Sequence, residues 1–373
     1  MARKRLASNS GTTLVLEYES RILADNALGD PHIRRVAVWV PPGYDAAVTK
    51  GKKSGRGRRY PVLWDLVGFT GSGLAHINWR PFDENVPERA ARLIHEKRMG
   101  PCIIVFPDCF TSLGGNQYIN SSAIGNYADY LTRELIPFVD REFRTLASRE
   151  HRGCFGKSSG GYGAMIHGMR YTKYWGAIGD HSGDAYFDFC YRGDWPRTLN
   201  ELDRYRKPRR KPGSVVRLPK ASRSVAGTDD GRVRRFLESM WTKDKLTDGE
   251  GHALMEIAMA ASYDPDPDAP LGFRLPVELE TGEWLPKRWA QWLKHDPVQL
   301  VEKYAANLKK LRGIYIDCGW RDQYHLHYGG RLLSRELSAH GVPHRYEEFD
   351  DTHSSIDYRM DVSLPYLYKA LKP

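Results

Sequence analysis

Two adjacent serines, Ser158 and Ser159, stand among four glycines in the stretch CFGKSSGGYGA at 154–164. Gly156-Lys157-Ser158-Ser159-Gly160 fits the pattern G-x-S-x-G with Ser158 at its centre. That pattern does chemistry where a strand turns sharply into a helix, because small residues two before and two after the serine keep a Cβ from striking neighbouring backbone. The surrounding residues supply the setting: a strand is predicted to end at about Phe155 and a helix to begin near Gly161. Ser158 then stands at the tip as a nucleophile. Ser159 opens the helix, its backbone N–H directed at a developing oxyanion.

A serine hydroxyl needs a base, and the base needs a carboxylate to orient it. Later in the chain the strand-like GIYIDCG (313–319) is followed by WRDQY, and HRYEEFD (344–350) is followed by DTHSS. His353 lies just past the second of these strands. Asp322 is the better acid, since a loop beyond the strand can turn its carboxylate toward the histidine; Asp317, inside the strand end, is the alternative. A second oxyanion donor belongs on the loop after an early strand. VLWDLVGFTGSG provides one, with Gly68 allowing close backbone approach and the N–H of Phe69 as the donor.

Other histidines are less decisive. His325 and His327 form an H-x-H at a helix start with no third ligand in view, so packing or pocket lining is expected and no metal site. His181 follows the strand after the elbow, where lining the site and satisfying a buried partner are both open.

These residues need a scaffold that presents strand ends to one side. TTLVLEYE (12–19) and IRRVAVWV (33–40) alternate as strands do, while 60–68, 102–108 and 152–156 are apolar runs suited to strands buried on both faces. Helical patterns at 84–99 and 124–143 fall between them, the second with Asn126 as its cap. A further run at 174–183 continues the alternation, which implies an α/β fold with a largely parallel sheet. From 184 to 295 the regular pattern breaks into Arg-, Pro-, Asp- and Trp-rich sequence. It resumes at Asp296-Pro297, a helix cap and first turn. The expected organisation is therefore a core of 1–183 and 296–373 interrupted by an insertion at 184–295.

Taken together, VAVWVPPGYD, YPVLWDLVGFTG, IGNYADYLTRELIPFVDREFRT, GKSSGGYGAM, DCGWRD and DDTHSS resemble segments of the putative-esterase family of α/β-hydrolases. That family includes S-formylglutathione hydrolase, enterochelin esterases, feruloyl esterases and mycolyl transferases. The resemblance covers about 20–183 and 297–360. It implies an α/β-hydrolase fold, a Ser158–His353–Asp322 triad, and an oxyanion hole from the amides of Phe69 and Ser159. Val67-Gly68 and Ser159 stand where the family often has His-Gly and Met; both positions contribute backbone amides. The insertion is the larger departure. A cap over the pocket, with Trp79, Tyr118, Trp320 or Tyr324 in its wall, competes with a structural add-on and a dimer contact.

Composition narrows the class. Of 373 residues 41% are hydrophobic, enough for a large core. No run approaches the 18 or so apolar residues of a membrane span, and MARKRLASNSGTT lacks the apolar stretch of a signal peptide. Five widely spaced cysteines, Cys102, Cys109, Cys154, Cys190 and Cys318, fit free thiols in a reducing compartment, so a soluble cytoplasmic protein is expected. The net charge of +10 is concentrated: RKR at 3–5, KGKKSGRGRR at 50–59 and RYRKPRRK at 204–211 hold 15 basic residues and no acidic ones. No nucleic-acid motif accompanies them. The expectation is a cofactor-free serine carboxylesterase acting on a small-molecule ester. Acyl transfer through the same triad is the second enzyme reading, and a non-catalytic binding protein using the basic loops is the reading of another class. A homodimer stays open.

Overall fold

The computed structural model describes residues 10–44, 57–207 and 230–373. The cluster at 3–5, residues 50–56 of the second basic cluster and 208–211 of the third lie outside these residues.

Eight strands form one sheet: β1 (Thr12–Glu19), β2 (Ile33–Val40), β3 (Val62–Leu66), β4 (Ile103–Pro107), β5 (Arg152–Lys157), β6 (Ala177–His181), β7 (Gly313–Gly319) and β8 (Arg345–Phe349). Their spatial order is β1-β2-β4-β3-β5-β6-β7-β8. β1 pairs antiparallel with β2, and β2 antiparallel with β4; every later neighbour is parallel. The apolar runs read as doubly buried strands are so: every residue of β3 and β4 and all of β5 but Lys157 are buried, as are β6 and β7. β1, which alternates, covers an edge with one half-buried face.

Helices cover both faces. On one side α1 (Val86–His95) and the C-terminal α10 (Met360–Leu371) lay Ala90, Leu93, Leu364 and Leu367 against Leu63, Ile104 and Phe155. The start of α1 is set by a reciprocal capping box between Asn85 and Glu88. On the other side lie α2 (127–142), α3 (Ser159–Arg170), α8 (Pro297–Leu308) and α9 (Leu326–Ala339). Within α2 the backbone opens to π spacing over Tyr130–Leu135. The cause lies one step on, where Pro137 has no N–H to offer the preceding turn. Asp296 caps α8 by accepting from the Val298 N–H at 3.0 Å.

The segment 184–295 contributes α4 (Trp195–Asp203), α5 (Arg232–Met240), α6 (Asp248–Tyr263) and α7 (Pro286–Leu293). Its tryptophans are mostly interior. Trp195 and Trp292 meet edge-on at 6.1 Å, and Trp292 packs on Tyr263 at 5.4 Å. Tyr263 in turn meets Tyr162 of α3 at 5.8 Å. The apolar core therefore runs without a break from the sheet into this segment. Trp241 is the exception, half exposed with its indole N–H on the Ser112 carbonyl.

Because the two parts share one core, Trp292→Ala is expected to destabilise the whole molecule by about 3–5 kcal/mol and leave a single unfolding transition. Urea unfolding followed by both far-UV CD and tryptophan fluorescence checks this; two separate midpoints would contradict it.

Candidate active site

The elbow begins where β5 ends at Lys157, two residues later than the sequence pattern suggests, and α3 starts at once with Ser159. Ser158 between them has φ 58° and ψ −124°, backbone that an L-residue adopts only under constraint. Three contacts impose it. The Ser158 N–H donates to the His181 carbonyl at 2.9 Å, and the Ser158 carbonyl accepts from the Tyr162 N–H at 2.9 Å. The end of β3 presses against the turn so closely that a Cβ on Gly156 or Gly160 would run into the Leu66 carbonyl oxygen.

The loop leaving β3 passes beside the serine. A Cβ on Gly68 would lie 3.4 Å from the Lys157 carbonyl oxygen and 3.5 Å from Ser158 Cβ. The loop is held by a turn from the Gly71 N–H to the Gly68 carbonyl (3.1 Å) and by Tyr118, whose hydroxyl donates to the Val67 carbonyl at 2.6 Å. Phe69 follows in this loop, and Ser159 supplies the first N–H of α3, one of the donors that a helix start leaves unpaired.

Asp322 and His353 meet directly: Oδ2 lies 2.7 Å from Nδ1. The Asp322 carboxylate is fully buried and the imidazole one-tenth exposed. Burial pushes the Asp322 carboxyl up, but the hydrogen bond and charge of His353, with the N–H groups of Tyr324 and Leu326, bring it below its ordinary value. It is therefore an ionised acceptor on the imidazole. The ring is steadied by Tyr324, half-buried and edge-on at 4.8 Å.

The alternative acid Asp317 falls away, and two expected pocket residues, His181 and Tyr118, need correction. Asp317 does not serve His353; its register partner on β6 is His181, and it bonds that ring at 2.6 Å together with the Arg359 guanidinium and the Tyr315 hydroxyl. His181 does not line a pocket, since both ring nitrogens are engaged in the interior, on Asp317 and Ser363. Tyr118 is fully buried and supports the loop below Phe69 rather than forming a wall. Trp79 and Trp320 lie on loops leaving β3 and β7, 70% and 47% exposed. His325 and His327 pack on Phe189 and Tyr328. Among the described residues no three His, Cys, Asp or Glu side chains gather as a metal site.

Two residues not singled out in the sequence reach the elbow. Gln117, on the loop after β4, donates to Ser159 Oγ at 2.9 Å, and Asp184 lies 3.3 Å from the same amide nitrogen. Only the fold brings 117 and 184 beside 159, so spacing along the chain gives no sign of them. Helix α6 of the 184–295 segment approaches here too: Met259 touches Gln117, and His252 stacks on Tyr324 at 5.8 Å.

A family model described as "Putative esterase" matches residues 31–363. The chain belongs to that family. Among curated relatives, Esterase MT1326 of Mycobacterium tuberculosis is 34% identical over 136 residues, 35% of this chain and 26% of that protein. An endo-1,4-beta-xylanase/feruloyl esterase of Xylanibacter ruminicola is 30% identical over 149 residues, 40% of this chain and 19% of that one. The matches thus span about a quarter or less of these relatives. Similar solved structures include a ferulic acid esterase (TM-score 0.54, 16% identity, 97% of this chain and 99% of that one). The S-formylglutathione hydrolase FrmB of Staphylococcus aureus gives TM-score 0.54 at 14% identity, covering 96% of this chain and 98% of that one. This esterase-family chain has the α/β-hydrolase fold. No helix among its described residues is long and apolar enough to cross a membrane.

One carboxyl beside the elbow behaves oppositely to Asp322. Asp180 is buried on β6; burial raises it to about 7 against the pull of the His181 charge and the Gly183 N–H. Below its unfolded value near 4 it is protonated in both states; between there and about 7 only the folded state keeps the proton, so its contribution to stability falls as pH rises. Asp180→Asn is expected to gain roughly 2–3 kcal/mol relative to the native chain between pH 5 and pH 8, measured by urea unfolding at both.

Proposed function

We propose that the protein is a serine carboxylesterase. Ser158 Oγ attacks the ester carbonyl, and His353 takes the hydroxyl proton and passes it to the leaving alkoxide. Asp322 holds the Nδ1–H tautomer and stabilises the imidazolium. The N–H groups of Phe69 and Ser159 receive the negative charge that develops on the carbonyl oxygen. Water then enters with His353 as base, attacks the acyl-enzyme, and releases the carboxylic acid as the proton returns to Ser158. This chemistry uses protein groups alone.

The observation that carries the reading is the joint presence, beyond the carboxyl ends of β5, β7 and β8 of one sheet, of a serine in strained backbone and an ionised Asp322 bonded to His353. The esterase names of the family and of the curated relatives support it. The approach of α6 to Gln117 and to Tyr324 favours a flanking or capping role for 184–295 at the acyl or alcohol subsite. The five cysteines, all free and buried, suit a reducing cytoplasm.

Fluorophosphonate labelling tests the class. The native chain is expected to be labelled and Ser158→Ala not, with turnover of short p-nitrophenyl esters lowered by several orders of magnitude in that variant. A folded native chain that resists labelling would overturn the assignment. Asp322→Asn is expected to lower kcat by about 10³–10⁴-fold, because an amide favours the wrong imidazole tautomer; steady-state kinetics on p-nitrophenyl acetate measures it.

A further inference from the structure

Behind the elbow lies a second serine, histidine and aspartate joined by hydrogen bonds. Ser363 Oγ is 2.8 Å from His181 Nε2, and His181 Nδ1 is 2.6 Å from Asp317 Oδ1. All three residues are buried, at 0%, 2% and 0% exposure. No ester can reach Ser363, so this array is not a second active site.

Its connections show what it does hold. Asp317 Oδ2 accepts from the Arg359 Nε–H at 2.9 Å and from the Tyr315 hydroxyl at 2.8 Å, and the Ser182 N–H donates to the Asp317 carbonyl at 2.7 Å. Ser363 lies on α10 and Arg359 in the turn before it, so the array ties the C-terminal helix to the ends of β6 and β7. Burial pushes the Asp317 carboxyl up, and His181 and Arg359 overcome it, leaving it ionised. An N–H on Nδ1 faces Asp317 in either charge state of the ring, and the Ser363 hydroxyl serves as donor or acceptor as Nε2 requires. The His181 ring is thus held from two sides.

The main chain of His181 is the other half of the arrangement. Its carbonyl accepts the Ser158 N–H, one of the contacts that impose the positive φ there. Strained backbone of this kind persists only where the surroundings over-determine it.

We propose that Ser363, His181 and Asp317 form a brace that positions Ser158 for attack. The inference rests on Ser158 being the nucleophile. The three are positioning residues: they act through the His181 carbonyl, and a shift of that carbonyl moves Oγ relative to His353 and the oxyanion donors.

Ser363→Ala removes one oxygen and leaves the His181–Asp317 pair in place; Asp317→Asn is the second variant. For each, the second-order rate constant of fluorophosphonate labelling, the labelled endpoint, kcat and KM on p-nitrophenyl acetate, and the melting temperature are measured beside the native chain. Labelling to the native endpoint, about tenfold slower, with kcat reduced in proportion and KM within about twofold, is the expected result, since small misplacements of a reacting atom cost this much or more. Native labelling rate and kcat per labelled site, with only the melting temperature lowered, would mean that the array serves stability alone, and the brace would be rejected. If Asp317→Asn does not fold, Ser363→Ala decides. A native chain that is itself unlabelled would instead remove Ser158 as nucleophile, and the brace with it, a result distinct from native-like labelling in the variants.

Discussion

One backbone conformation governs the carboxyl edge of this sheet: Ser158 at φ 58°. Holding a serine there costs about 1–3 kcal/mol, a sizeable part of the net stability of a folded domain. The surrounding elements are arranged to repay it. β3 comes in so close that Gly156 and Gly160 have no room for a side chain, α3 bonds the serine's carbonyl, and β6 bonds its amide. The main chain of Ser158 is thus bonded on both sides, through its N–H and its carbonyl.

Three carboxyls near that edge show how surroundings alone assign roles. Asp322 is ionised because His353 and two backbone amides face it. Asp317 is ionised because an imidazole and a guanidinium share it. Asp180, with far weaker compensation for its burial, keeps its proton to about pH 7. Identical side chains within two neighbouring strands and one loop thus rest as an anion bonded to an imidazole, an anion shared by an imidazole and a guanidinium, and a carboxyl that keeps its proton to about pH 7.

The alternation of strand and helix was legible in the sequence because parallel strands buried on both faces leave apolar runs, unbroken in 103–107 and broken only by Asp65 in 62–66. Asp322 and His353 could be picked out because a strand and then a loop of suitable length precede each. What could not be read were polar groups satisfied by distant partners. His181 meets Ser363 across 182 positions, and Tyr118 meets Val67 across 51; nothing local marks either as interior. The tryptophans of 184–295 posed the same difficulty, since a buried Trp292 and a half-exposed Trp241 are alike in composition and differ only in what packs on them.

The continuous core between the sheet and the helices of 184–295 bears on how the molecule comes to exist. Ser158 is synthesised early, and His353 follows about 200 residues later, after the whole excursion through 184–295. Until β7 and β8 add to the sheet, the emerging chain carries a β6 edge with no neighbour. Such an edge invites pairing with other chains, and its protection comes only with the C-terminal strands and helix. Ribosome-bound chains ending before β7 are accordingly prone to associate, and the loops that carry Asp322 and His353 arrive together with the strands that protect that edge.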